Sequence, residues 1–92
     1  MQRSTVEDFL MDEGVKTSMI GFTYLTDAIL MYRPGMPMVK GVYTEVAKMH
    51  HSTATRVERG IRHALEARKG EKKTVNGEYI SWAKIMCGRA EG

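Results

Sequence analysis

Val46-Ala47-Lys48-Met49-His50-His51-Ser52-Thr53-Ala54-Thr55-Arg56-Val57-Glu58-Arg59-Gly60-Ile61-Arg62-His63-Ala64-Leu65 reads as two helices joined by a tight turn, the second of them studded with arginine. A helix-turn-helix requires a small residue where its helices cross, a sharp turn, and aliphatic residues on the inner side of the second helix. Ala47 supplies the small residue, with Val46 beside it as a core contact. Thr53 is placed to cap the second helix, because its hydroxyl can accept a hydrogen bond from a free amide of the first turn. Val57 and Ile61 stand four apart and Ala64 and Leu65 follow, so a step of about 100° per residue gathers them into one inward stripe. The turn departs from common chemistry: His50, His51 and Ser52 stand where many such motifs carry an aliphatic, a glycine and another aliphatic.

Arg59 points nearly opposite that stripe. Thr55, Arg62, His63 and Glu66 fall within about 60° of it on a helical wheel, with Arg56 and Glu58 on the flanks. One outward arc therefore carries most of the polar groups of the second helix. Arginine can make bidentate contacts to guanine, and glutamate can accept from the cytosine amino group in the major groove. The competing reading is a solvated helix face with local ion pairs, such as Glu58 to Arg62 at i, i+4.

Val42-Tyr43, Val46-Ala47-Lys48 and above all Arg56-Val57-Glu58-Arg59-Gly60-Ile61-Arg62-His63-Ala64-Leu65-Glu66 closely resemble the C-terminal DNA-binding domain of the stage zero sporulation protein A family, response regulators that commit endospore-forming bacteria to sporulation. Gly21-Phe22-Thr23-Tyr24-Leu25-Thr26-Asp27-Ala28-Ile29 is similar to the early helix of that family, with its Gly-aromatic-x-Tyr-Leu-x-x-Ala-Ile pattern. The resemblance covers about residues 15 to 67 well and 74 to 85 weakly. It implies a second helix lying in the major groove of double-stranded DNA. Arg56, Glu58 and Arg59 would then contact bases or the backbone adjoining them, and Arg62 and His63 would lie toward the phosphates. Lys48 and Thr53 are expected to join the backbone contacts. Full-length members of the family carry a phosphoacceptor receiver domain, whereas about forty residues precede the motif here, so phosphorylation control of that kind is expected to be absent from this chain. The family also has a longer helical segment before its last helix, where this chain has the short link 67–73, so the family's dimer geometry is not carried over.

The rest of the chain is consistent with one helical domain over residues 1–92. Its length suffices for a single modest core, and 42% hydrophobic with 27% charged residues is a globular balance. Apolar runs stay short of the ~20 residues that span a bilayer, and the acidic N-terminus is unlike a signal peptide, so a cytoplasmic protein is expected. One cysteine, Cys87, cannot form an internal disulfide. The net charge of +3 is uneven: residues 1–32 hold two cations against five carboxylates, a balance of −3, which leaves +6 on residues 33–92. Positive charge on the side of the motif would neutralise phosphates and give salt-sensitive affinity.

Ser4-Thr5-Val6-Glu7 has the form of a capping box opening an acidic helix over 5–13, with Phe9 and Leu10 apolar and Gly14 as its stop. Thr17 or Ser18 is the expected cap of a second helix to about residue 32, burying Ile20, Tyr24, Ala28 and Met31. Arg33-Pro34-Gly35-Met36-Pro37 breaks it. The motif then occupies about 39–68, as helices over 39–50 and 54–68, followed by a polar, mobile link at 70–73. A last helix over about 77–87 is marked by Tyr79, Ile80, Ala83 and Met86, with Asn76 as its cap. The expected fold is all-α, a compact bundle of about five helices.

Other classes find less support. His50, His51, His63 and Cys87 lack the close spacing of a zinc site, and a Cys-His nucleophile or a glycine-rich phosphate loop is unmarked. No metal, cofactor or catalytic residue is expected. The scattered methionines, Met11, Met19, Met31, Met36, Met38, Met49 and Met86, read as pliable core filling, and Trp82 as the anchor of the last helix. An apolar last helix leaves room for a homodimer. The second functional reading is a protein-interaction module or antagonist that pairs with a related full-length regulator, using the acidic first helix, Phe9 or Trp82.

Overall fold

Residues 1–70 and 74–92 are described by a computed structural model. Its elements are α1 (Arg3–Asp12), α2 (Ile20–Met31), a π-helical segment (Met38–Tyr43) running directly into α3 (Thr44–Met49), α4 (Ala54–Glu66) and α5 (Asn76–Glu91). The fold is all-α, with no strand among the described residues. The Cα radius of gyration, 12.0 Å, matches the ~12 Å of a compact chain this long. The expected mobile link at 70–73 lies, apart from Gly70, outside the described residues.

Each helix starts or stops for a local reason, and several boundaries correct the sequence expectation. α1 begins at Arg3 after Gln2, with no side-chain cap. Ser4 and Thr5 therefore lie inside the helix and the capping box does not form at its start. Its end follows the expected glycine stop: Gly14 sits at φ +87°, its amide donates to the Met11 carbonyl, and the Val15 amide reaches back to Leu10 at 3.0 Å. These crossed bonds, with Leu10 and Val15 both buried, form a Schellman stop. α2 starts after Met19 without a side-chain cap, so neither Thr17 nor Ser18 serves. Its expected apolar face is also corrected. Ile20 is 58% exposed and Met31 is half-buried, whereas Phe22, Tyr24, Leu25, Thr26, Asp27, Ala28 and Ile29 are all buried. A helix covered on most sides is the central element of a small bundle, and α2 packs against α1, α4 and α5.

The α2 and α4 contact is the most extensive in the molecule, and glycine makes it close. A Cβ built on Gly21 would stand 2.1 Å from the Gly60 carbonyl oxygen and 2.6 Å from the Ala64 Cβ. The backbones touch, and the Val57, Ile61, Ala64 and Leu65 stripe is driven onto α2. All four are buried, as expected; burial of Val57, Ile61 and Leu65 contributes about 1.5–3 kcal/mol each.

The helix expected over 39–50 opens in the wider π register. Both Gly41 and Val42 amides donate to the Pro37 carbonyl at 3.1 Å, and the Thr44 hydroxyl donates to the Val39 carbonyl at 2.7 Å. α4 ends at Glu66 instead of residue 68, because Arg68 turns inward. Its Nε donates to the Leu65 carbonyl (3.1 Å), Nη1 to Glu13 (3.3 Å) and Nη2 to the Thr74 hydroxyl (3.1 Å), while its guanidinium lies 4.8 Å from the Tyr79 ring centre. α5 runs to Glu91, past the expected end at 87. Asn76 does not cap it: Val75 holds that place, and the Asn76 side-chain Nδ2 donates instead to the Glu58 carbonyl at 3.0 Å. Tyr79, Ile80 and Ala83 are buried as expected, joined by Cys87, while Met86 is half-buried. Trp82 packs edge-on against Phe9 of α1 and Tyr79, with ring centres 5.5 and 5.6 Å apart, and remains 42% exposed. Met19, Met31, Met36 and Met38 fill the core margin, but Met11 and Met49 are exposed.

Candidate nucleic-acid interface

The approach to α4 is a turn built from polar residues. The His50 amide donates to the Val46 and Ala47 carbonyls (both 3.2 Å) and the Ser52 amide to Ala47 at 2.9 Å, closing α3 tightly. His51 takes the left-handed backbone at φ +51°, the conformation that a glycine would supply at no cost. Thr53 caps α4 as its spacing predicts, its hydroxyl accepting from the Arg56 amide at 3.2 Å.

Polar residues occupy the turn because α2 gives them partners. Asp27, 3% exposed, accepts from His50 Nε2 through Oδ2 (2.5 Å) and from Arg3 Nη1 through Oδ1 (2.6 Å). The Tyr24 hydroxyl donates to the Ser52 hydroxyl at 3.5 Å, and its ring meets His50 edge-on at 5.3 Å. Sequence reasoning missed Asp27 and Arg3. The available signal was that Asp27 is the one charged residue in the otherwise uncharged α2 sequence.

On α4 the outward residues Thr55, Arg56, Arg59, Arg62, His63 and Glu66 are all exposed, and Glu58 is half-buried at the edge of the face. Among the described residues, the Arg56, Arg59 and His63 side chains have no hydrogen-bond or ion-pair partner. Glu58 and Arg62 are paired at 3.1 Å, the local i, i+4 contact weighed above. Their side chains border a shallow groove with Val39, Tyr43, Val75 and Asn76. Lys48 stands on α3, exposed and 3.3 Å from Glu45. Arg56, Arg59, Arg62 and His63 thus share one helix face, with Thr53 at its N-terminal end and Lys48 on the neighbouring helix. Arg68, counted in the basic half of the chain, is buried and takes no part in this face.

The remaining reactive groups have ordinary structural surroundings. Cys87 is buried, and burial, then the Glu91 charge, pushes its thiol above the usual range, the reverse of an activated thiolate. Among the described residues no three His, Cys, Asp or Glu side chains gather as a metal site, and no helix is long and apolar enough to cross a membrane.

The α2 core, the capped α4 and the greater part of α5 fall within residues 6–86, which match the family model described as Sporulation initiation factor Spo0A C terminal. The match extends beyond the stretch of strongest resemblance into α1 and α5. With nearly the whole 92-residue chain covered, the protein belongs to this family of all-α DNA-binding domains that serve transcription regulation in sporulation.

Proposed function

We propose that α3 and α4 form a helix-turn-helix and that α4 reads double-stranded DNA sequence-specifically from the major groove, regulating transcription in the cytoplasm. Arg56, Glu58 and Arg59 contact bases; Arg62, His63, Lys48 and Thr53 hold the backbone. The observation that carries this reading is the outward face of α4, where Arg56, Arg59 and His63 stand exposed, without partners among the described residues, on a helix whose opposite side is locked against α2. Glu58 and Arg62 enter the site as a pair. An exposed ion pair contributes only about 0–1 kcal/mol, so exchanging it for contacts to a cytosine amino group and a phosphate is cheap.

A fluorescence-anisotropy titration with a duplex carrying the family's DNA box and a scrambled duplex, each at two salt concentrations, tests the proposal. Wild-type protein is expected to favour the box. Arg59→Ala should flatten that preference by about 1–3 kcal/mol, whereas Arg62→Ala should weaken both duplexes alike and reduce the salt slope. Equal binding of wild type to both duplexes would sink sequence-specific reading.

A second reading, an interaction module that pairs with a copy of itself or with a related full-length regulator, draws on the exposed Trp82, which packs against Phe9, and on the exposed Ile85 of α5. It predicts that Arg59→Ala is tolerated and that Trp82→Ala abolishes partner binding.

A further inference from the structure

α2 contains one charged side chain, Asp27, and buries it. A carboxylate removed from water must have both oxygens satisfied, and here the two oxygens are satisfied from different elements. Oδ1 takes the Arg3 guanidinium of α1, and Oδ2 takes the His50 imidazole at the end of α3. A carboxylate oxygen in hydrogen-bond contact with an imidazole nitrogen assigns the shared proton to Nε2 of His50. His50 immediately precedes left-handed His51 and stands three residues before the Thr53 cap. Its ring is further held edge-on by Tyr24, whose hydroxyl reaches Ser52. The entry angle of α4 is thus tied to α2 through polar contacts, one of which depends on a residue of α1.

We infer that Asp27 and His50 are positioning residues for α4, and that Arg3 couples the seating of the first turn of α1 to the turn that aims α4 at DNA. The inference rests on the proposed DNA reading for its functional consequence, but assigns α1 a role that the reading does not contain. Arg3 is the accessible member of the relay, with 47% of its side chain exposed against 3% for Asp27, and its other neighbour is Glu7 at 3.8 Å. Drawing Arg3 away leaves Asp27 half-satisfied. The freed oxygen then draws in water, and the turn loosens.

The test uses Arg3→Gln, which alters an exposed side chain and leaves the core intact, with Arg3→Lys as the conservative rescue. Three readouts are followed: amide hydrogen exchange at Ser52 and Arg56, the ring-nitrogen resonances of His50, and affinity for the box duplex. Arg3→Gln is expected to speed exchange at Ser52 and Arg56 and to weaken box binding, each by about fivefold or more. It should also shift the His50 Nε2 signal while leaving exchange at Ala83 in α5 unchanged. Arg3→Lys should restore all three. Unchanged exchange and an unchanged His50 signal in Arg3→Gln would overturn the coupling, as would a uniform rise that includes Ala83, the mark of simple destabilisation. Exchange and ring signals are read without DNA. Failure of wild type to prefer the box would therefore overturn the DNA reading while these readouts still decide the coupling.

Discussion

His51 holds the left-handed backbone, at φ +51°, in a turn where glycine would fit without a Cβ clash. A non-glycine residue there costs about 1 kcal/mol, partly offset by the lower entropy of its unfolded state. His51→Gly is therefore expected to stabilise the protein by up to about 1 kcal/mol in urea unfolding and to leave DNA preference unchanged. His50 behaves differently although it is adjacent, because its imidazole is bound to a buried carboxylate. The sequence marked both histidines as departures from turn chemistry but could not separate a strained backbone from a satisfied side chain. The Thr53 cap was legible, since a hydroxyl three residues before an amide at a helix start needs no distant partner. The candidate base readers were legible as an exposed arc for a similar reason: helical period alone sets which way Arg56 and Arg59 point.

At the scale of elements, the crossing of α2 and α4 sets how far α4 stands out from the body. Gly21→Ala would place a methyl group 2.1 Å from the backbone oxygen of Gly60, an obstruction that side-chain rotation cannot relieve. A loss of about 1–3 kcal/mol or more is expected, together with weaker box binding as α4 is pushed outward. Gly60→Ala meets the Tyr24 ring at 2.9 Å instead, and the gain of about 1 kcal/mol in helix propensity opposes the clash. It should cost less than Gly21→Ala in the same unfolding measurement. Arg68 locks the end of α4 to α1 and α5 through Glu13 and Tyr79. Its truncation, Arg68→Ala, should cost about 1–3 kcal/mol by removing a buried side chain and leaving the part-buried Glu13 and Thr74 without its hydrogen bonds. Box preference should survive wherever the variant is folded, which distinguishes this arginine from Arg59.

Across the whole molecule, the buried phenols and thiol make alkaline stability a sensitive report of the fold. Burial raises Tyr43 above its ordinary 10.0; burial and then the Glu13 charge raise Tyr79 much further; burial raises Cys87 above 9.0. Each group keeps its proton in the folded state at a pH where the unfolded chain has lost it. Their contribution is therefore complete below the ordinary values and declines as pH rises through and beyond them. Lys84 acts in the opposite sense, because burial and then Arg33 lower its value, so its contribution improves as pH rises toward the usual lysine range. Three groups against one predict a net fall in the urea midpoint from about pH 9 upward, with tyrosinate absorbance from Tyr43 and Tyr79 appearing together with unfolding. Absorbance from both that precedes unfolding would contradict the burial described here. The same view of the whole chain tempers the charge argument: the excess of +6 on residues 33–92 includes Arg68, which faces inward.

By itself the sequence determined the helical class, the glycine stop of α1, the Thr53 cap, the buried stripe of α4 and the arc opposite it. These depend on residues within one or two turns of one another, so period and capping chemistry settle them. The tertiary structure alone decided that α2 is the covered centre, that Gly21 lets α4 approach it, and that Asp27, Arg68 and Asn76 are buried with particular partners. Asp27 meets Arg3 and His50 across 24 and 23 residues, and Arg68 meets Glu13 across 55. A polar side chain is tolerated inside a protein only where another element brings the complementary group to it, and that condition cannot be read from local spacing.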